Sequence, residues 1–180
     1  IEGDPRPDFV ELVAEVRPDQ CTLVPVRQGE ITSPAGWLPE TRSEALRVAV
    51  DRCRSLGIRV SLFVDPDDEA IGWAGSMGAH RVELYTEPFA RAFEAGEGPA
   101  AASFDAYART SRLAASLGLG VNAGHDLDLR NLTVFRRLPH LAEVSIGHAL
   151  ISHALYVGLD RSVRDYLQAL ADPVRSPTQT

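Results

Sequence analysis

Short apolar runs alternate with stretches of helical periodicity along almost the whole chain. The runs read as strands at 1–3, 20–24, 59–64, 81–85, 120–122 and 143–146. Helical pattern fills 8–16, 42–56, 67–77, 100–117, 129–137 and 159–171, and a further stretch at 149–157 follows Gly147-His148. Leu46, Val50, Cys53 and Leu56 recur at helical spacing and define one apolar face. Gly57 and Gly118 stand where helix C-caps are expected, and Asp67, Asp68 and Glu69 place acids in a first helical turn. Residues 92–102, rich in Gly and Ala, are either a loop or the start of a long helix. Residues 25–40 form a long loop after the second strand, and 173–180 reads as a loose polar tail with two prolines.

Regular βαβ alternation predicts a parallel sheet covered by helices. Six βα units are visible in 180 residues. An eight-unit barrel typically needs about 250 residues, and two further units of roughly 30 residues each would close that gap. The expected fold is therefore α/β, a (β/α)8 TIM barrel of which about six C-terminal βα units are present. It forms a single domain over 1–172, with Ile1 falling at the end of a strand. A doubly wound open sheet is the alternative, but no Gly-rich phosphate fingerprint follows any strand.

Composition adds bounds. An apolar fraction of 44% and a charged fraction of 24% are those of a soluble globule, read here as cytoplasmic. A net charge of −7 argues against nucleic acid as a partner. No apolar run has the length of a membrane span, and no signal peptide is visible. Cys21 and Cys53 have neither disulfide-framework nor zinc spacing. Cys21 lies in an apolar run as a small core residue.

The chemistry gathers at strand ends. Gly124-His125 and Gly147-His148 each follow an apolar run and precede helical pattern, at the end of a parallel strand where such folds carry their sites. His125 could transfer protons near neutral pH, and a structural hydrogen bond at a strand end is an equal reading of it. Gly124 permits a tight backbone or a close ligand approach. Gly147-His148 opens a helix whose free N–H groups could hold an anion, or is a plain strand-to-helix turn. Glu83 is a carboxylate inside an apolar strand, costly without a partner; Glu2 has the same character, and Glu143 could be either. Thr32, Glu30 and Arg27 lie in the long loop, where a solvated loop is the stronger reading. His80 is expected at the opposite end of the sheet, His140 and His153 as surface or capping residues, and Trp37 and Trp73 in packing. No His or Cys pair has familiar metal spacing, so no metal is expected.

These residues carry a resemblance. The runs Cys21-Thr-Leu-Val-Pro25, Glu30-Ile-Thr32, Val60-Ser-Leu-Phe-Val-Asp65, Val82-Glu-Leu-Tyr-Thr86, Leu119-Gly-Val-Asn-Ala-Gly-His125 and Ile146-Gly-His-Ala149, with Ile1-Glu2, resemble the pyridoxine 5′-phosphate synthase family over nearly the whole chain. The resemblance implies a (β/α)8 barrel. It implies condensation of 3-amino-2-oxopropyl phosphate with 1-deoxy-D-xylulose 5-phosphate, giving pyridoxine 5′-phosphate, phosphate and water. No metal or organic cofactor is implied, and a homo-oligomer is. It implies Glu2 as proton acceptor, His125 as proton donor and Glu83 as a carboxylate that stabilises transition states. Thr32 would contact deoxyxylulose phosphate, and Asp126, Gly147 and His148 would hold the aminoketone phosphate.

The family's first two strands, with an Asn, an Asp-His pair and a basic His, have no counterpart here. Asp126 stands where the family often has a small residue. Val26 and Gln28 stand where it usually has Glu and Arg, and Tyr85 where it usually has His. Another phosphate-binding barrel isomerase or aldolase is the competing reading, and a non-catalytic oligomeric relative is a third. All 18 basic residues are Arg, which argues against lysine-imine chemistry within this segment.

Overall fold

The computed structural model describes residues 1–26, 33–41 and 44–171. Its strands are β1 (Glu2–Gly3), β2 (Gln20–Leu23), β3 (Arg59–Val64), β4 (Arg81–Tyr85), β5 (Gly120–Gly124) and β6 (Leu141–Ser145). The helices are α1 (Pro7–Val16), α2 (Glu44–Ser55), α3 (Asp68–Ser76), α4 (Glu87–Glu94), α5 (Glu97–Ser116), α6 (Leu132–Phe135), α7 (His148–Val157) and α8 (Leu159–Ala171). All five strand pairings are parallel, in the order β1-β2-β3-β4-β5-β6.

Period-two alternation sorts the strand side chains. Val60, Leu62 and Val64 of β3, Val82 and Leu84 of β4 and Val121 and Ala123 of β5 are buried in the main core. The intervening positions are polar, aromatic or glycine and meet one another on the other face. There the Gln20 side chain accepts from Arg59, and Arg59 in turn donates to Glu143 at 2.8 Å. Arg81 donates to Asn122 at 2.9 Å. In a flat sheet β3 and β6 would lie roughly 14 Å apart, three spacings of 4.7–4.9 Å. A direct Arg59–Glu143 pair therefore requires the sheet to curl with its polar face inward. Six curled parallel strands backed by helices make a partial (β/α)8 barrel.

The local signals have visible causes. Gly57 and Gly118 both take positive φ, and behind them the Ile58 and Leu119 amides reach back to Cys53 and Ala114. The Asp67 carboxylate caps α3 by accepting from the Glu69 and Ala70 amides at 2.9 and 3.1 Å. Trp37 packs in the core with its indole N–H on the Leu23 carbonyl, and Trp73 packs against the core. Cys21 and Cys53 are both buried and unpaired by disulfide.

Helix α4 was not expected. Pro88 sits in its first turn, where proline is tolerated, and Gly96 at φ 116 separates it from α5. That break settles the open segment 92–102. The last strand starts at Leu141 rather than at residue 143, with a register shift between Val121 and Asn122 of β5. The tail 173–180 lies outside the described residues.

Phe89 of α4 is fully buried among Phe93, Phe104, Tyr107 and Phe135, at centroid distances of 4.9–6.4 Å. Tyr107 also donates to the Tyr85 carbonyl at 2.6 Å, tying the cluster to the end of β4. Phe89→Ala is expected to cost about 3–5 kcal/mol of stability. Urea unfolding measures it, and a loss under about 1 kcal/mol would show that the cluster does not hold α4 to the barrel.

Candidate active site

A cavity of about 780 Å³ opens at the C-terminal ends of the strands, lined among others by Glu2, Glu83, His125, Asp126, Gly147 and His148. Six of the seven expected site residues therefore meet there, from β1, β4, the turn after β5 and the start of α7. The seventh, Thr32, lies outside the described residues, as do Arg27, Gln28 and Glu30.

Glu83 points inward from β4 and is 2% exposed. Its carboxylate accepts from the Thr22 hydroxyl of β2 at 3.3 Å and is hydrogen-bonded to Ser145 of β6. A Cβ on Gly124 would stand 2.3 Å from Glu83 Oε1. The close approach expected at Gly124 is thus to a buried carboxylate of the protein, and the glycine makes room for it. Burial raises the Glu83 pKa from 4.5 to about 7, and the charge of Glu2 pushes the same way. The Ser145 and Thr22 hydroxyls act oppositely, favouring the ionised form. Glu2, at the rim of the cavity, is also raised by desolvation, with the His125 charge opposing. The charge of Glu2 thus adds to burial in favouring the protonated form of Glu83.

His125 follows β5 at φ 89 and Asp126 at φ 57, so two successive non-glycine residues occupy left-handed space. Buried Thr86 anchors the turn, its hydroxyl donating to the Gly124 carbonyl at 2.7 Å and also to that of His125. Asn131 donates to the Asp126 carbonyl at 2.9 Å. The imidazole stands edge-on to Tyr85 at 5.1 Å and lies 6.3 Å from Phe63. Gly147 is the N-cap of α7 and has no side-chain cap, and Gly147, His148 and Ala149 line the cavity.

The other histidines sit elsewhere. His80 accepts the Val60 amide at 2.9 Å at the N-terminal end of the strands. His153 pairs with Asp165 at 3.1 Å between α7 and α8, and His140 is exposed. Glu143 belongs to the polar layer with Arg59 and Arg81. Sequence reasoning missed Thr22, Ser145 and Thr86, the hydroxyls that hold Glu83 and the His125 turn. For Thr22 the signal was present in the Gln20/Thr22 against Cys21/Leu23 alternation of β2. Among the described residues no group of three or more His, Cys, Asp or Glu is placed to hold a metal ion, and no helix is long and apolar enough to cross a membrane.

The model of the family "Pyridoxal phosphate biosynthesis protein PdxJ" matches residues 1–172. The chain belongs to the PdxJ family. Pyridoxine 5′-phosphate synthase of Bacteroides thetaiotaomicron is 48% identical over 171 residues, which cover 94% of this chain and 71% of that protein. Its counterpart in Flavobacterium johnsoniae is 49% identical over 171 residues, with the same coverage. Solved barrels are more distant and speak for the fold alone. The tryptophan synthase A-subunit of Pyrococcus furiosus matches with a TM-score of 0.54 at 15% identity, over 90% of this chain and 60% of that one. The citrate synthase SbnG matches at 0.53 and 14%, over 94% and 73%. The PdxJ cavity thus sits on a common scaffold, and its chemistry lies in the side chains at the strand ends.

The pH dependence of Glu83 has a definite sign. Below about pH 4.5 the group is protonated folded and unfolded, and contributes nothing. Between 4.5 and about 7 the folded state keeps a proton that the unfolded state has released, so stability falls as pH rises. Above about pH 7 the full penalty stands, on the order of 3 kcal/mol. Glu83→Gln is therefore expected to be more stable than the parent at pH 8 and about equal at pH 4. Denaturation at both pH values decides it: an equal difference at the two would mean that Glu83 titrates as an ordinary carboxylate.

Proposed function

We propose that this cavity condenses 3-amino-2-oxopropyl phosphate with 1-deoxy-D-xylulose 5-phosphate, and that Glu2, Glu83 and His125 carry the proton transfers. Pyridoxine 5′-phosphate synthesis is the activity of the family and of this chain. The observation that carries the residue assignment is the meeting of three titratable side chains and one open helix N-terminus on a single cavity.

Ring closure from two phosphorylated ketones needs imine formation, enolisation and loss of water and phosphate. Each step moves a proton, so several acid–base groups around one pocket are required. Glu2 at the rim acts as proton acceptor. His125, fixed on its strained turn, acts as proton donor. Glu83, buried and held by two hydroxyls, offers a carboxylate to developing positive charge. Its pKa near 7 lets it exchange a proton at neutral pH. The N–H groups of the Gly147-His148 turn hold the aminoketone phosphate, with the Asp126 backbone nearby. Holding that phosphate sets the distance of the reacting carbonyl from the three acid–base groups. Thr32 contacts deoxyxylulose phosphate. No cofactor enters these steps.

Residues 1–172 act as one partial-barrel domain in the cytoplasm. A homo-oligomer follows from the resemblance, and Ile151, Leu155 and Tyr156 of α7, exposed by 54%, 82% and 90%, are the apolar surface for a second copy to cover.

His125→Asn tests the assignment. Asn tolerates left-handed backbone, so the melting temperature is expected to change little. Turnover should fall by at least about 100-fold, the lower end of what a positioned acid contributes. Retained activity with a large loss of stability would make His125 a packing residue.

A further inference from the structure

We infer that Asp126 is a positioning residue for His125: its carboxylate fixes the imidazole so that Nε2, not Nδ1, is presented to substrate. The inference rests on the synthase reading of this cavity and adds a role for a side chain to which that reading gives only a backbone contact.

The geometry is local and over-determined. Asp126 Oδ2 lies 3.2 Å from His125 Nδ1. Adjacent residues in extended or helical backbone do not ordinarily bring their side chains face to face. Here φ 89 and φ 57 in succession fold the two together. Left-handed backbone is unfavourable for a non-glycine residue, and the surroundings hold it. Thr86, fully buried, donates to the carbonyls of Gly124 and His125, and Asn131, 4% exposed, donates to the carbonyl of Asp126. Tyr85 meets the ring edge-on at 5.1 Å. Backbone and ring are thus each restrained from neighbouring elements, and the carboxylate is brought to Nδ1 by the backbone that carries it.

The chemical consequence follows from imidazole. In the neutral ring one nitrogen donates and the other accepts, and a carboxylate on one nitrogen selects the proton for that nitrogen. With Nδ1–H donating to Asp126, Nε2 becomes the nitrogen that takes up and gives back the proton exchanged with substrate. The charge that forms on the ring during the exchange is met by the carboxylate next to it. The same negative charge lies beside the phosphate-holding turn, so Asp126 is expected to favour turnover without improving substrate affinity.

The test is Asp126→Gly beside Asp126→Asn. Glycine suits φ 57 and asparagine tolerates it, so both variants are expected to fold. Heteronuclear NMR of the histidine rings reads the tautomer directly. The parent should show neutral His125 with its proton on Nδ1. D126G should move the proton toward Nε2, while D126N, which keeps an acceptor oxygen, should hold it on Nδ1. For D126G kcat should fall about ten- to a hundred-fold, the usual effect of losing an orienting partner of a histidine. KM for both substrates should stay level or fall, and D126N should recover much of kcat. An unchanged His125 tautomer in D126G overturns the inference whatever the activity. So does an unchanged kcat with a lowered KM, which would make Asp126 only a brake on phosphate binding. Wild-type turnover in His125→Asn would overturn the synthase assignment of His125 itself, and the role of Asp126 with it, even with the tautomer held.

Discussion

The burial of one carboxylate organises this site. Glu83 is 2% exposed, and the sheet must be curled and locally stripped of side chains to admit it. Curling turns alternate residues of β2 to β6 inward, so Thr22, Ser145 and Glu83 meet although their strands are not all neighbours. Gly124 on β5 leaves the space that any larger residue would take from Glu83 Oε1. The hydroxyls offset part of the desolvation but not all of it, and the carboxyl stays poised near pH 7. The penalty is one of stability, carried by a large apolar core on the helix-facing side of the same strands.

The two ends of the curled face do different work. At the N-terminal end Arg59, Arg81, Asn122, Gln20 and Glu143 satisfy one another, closing a polar layer that fixes the curvature. At the C-terminal end the balance is incomplete: His125 is paired with Asp126, but Glu83 is held by hydroxyls rather than by a cation. Burial raises the pKa of two carboxylates, a histidine stands on strained backbone, and a helix begins without a side-chain cap. Unrelieved charge and strain gathered in one place are what catalysis requires and what stability alone would remove.

Much of this was legible in the residues. The bounds of β3 and β4 could be read outright, because Val, Leu, Phe and Tyr at those positions fit a pleated, covered surface. Strand β5 was read short, since Ala123 and Gly124 have little strand preference and are held in the ladder by pairing with Leu84 and Tyr85. Helix α4 was hidden by its proline and its length, and is held by the packing of Phe89. Glu83 announced itself as a charge inside an apolar strand. Thr22, Ser145 and Thr86 did not, because a hydroxyl in a strand or turn carries no comparable cost. The left-handed backbone at His125 and Asp126 left no mark either, with no glycine at either position.

The most direct test of the account is a crystal structure of the protein with pyridoxine 5′-phosphate bound. The account predicts the phosphate on the N–H groups of the Gly147-His148 turn, and the pyridine ring within hydrogen-bonding reach of Glu83 and His125. A product phosphate bound away from α7, or a ring that leaves Glu83 covered and untouched, would contradict it.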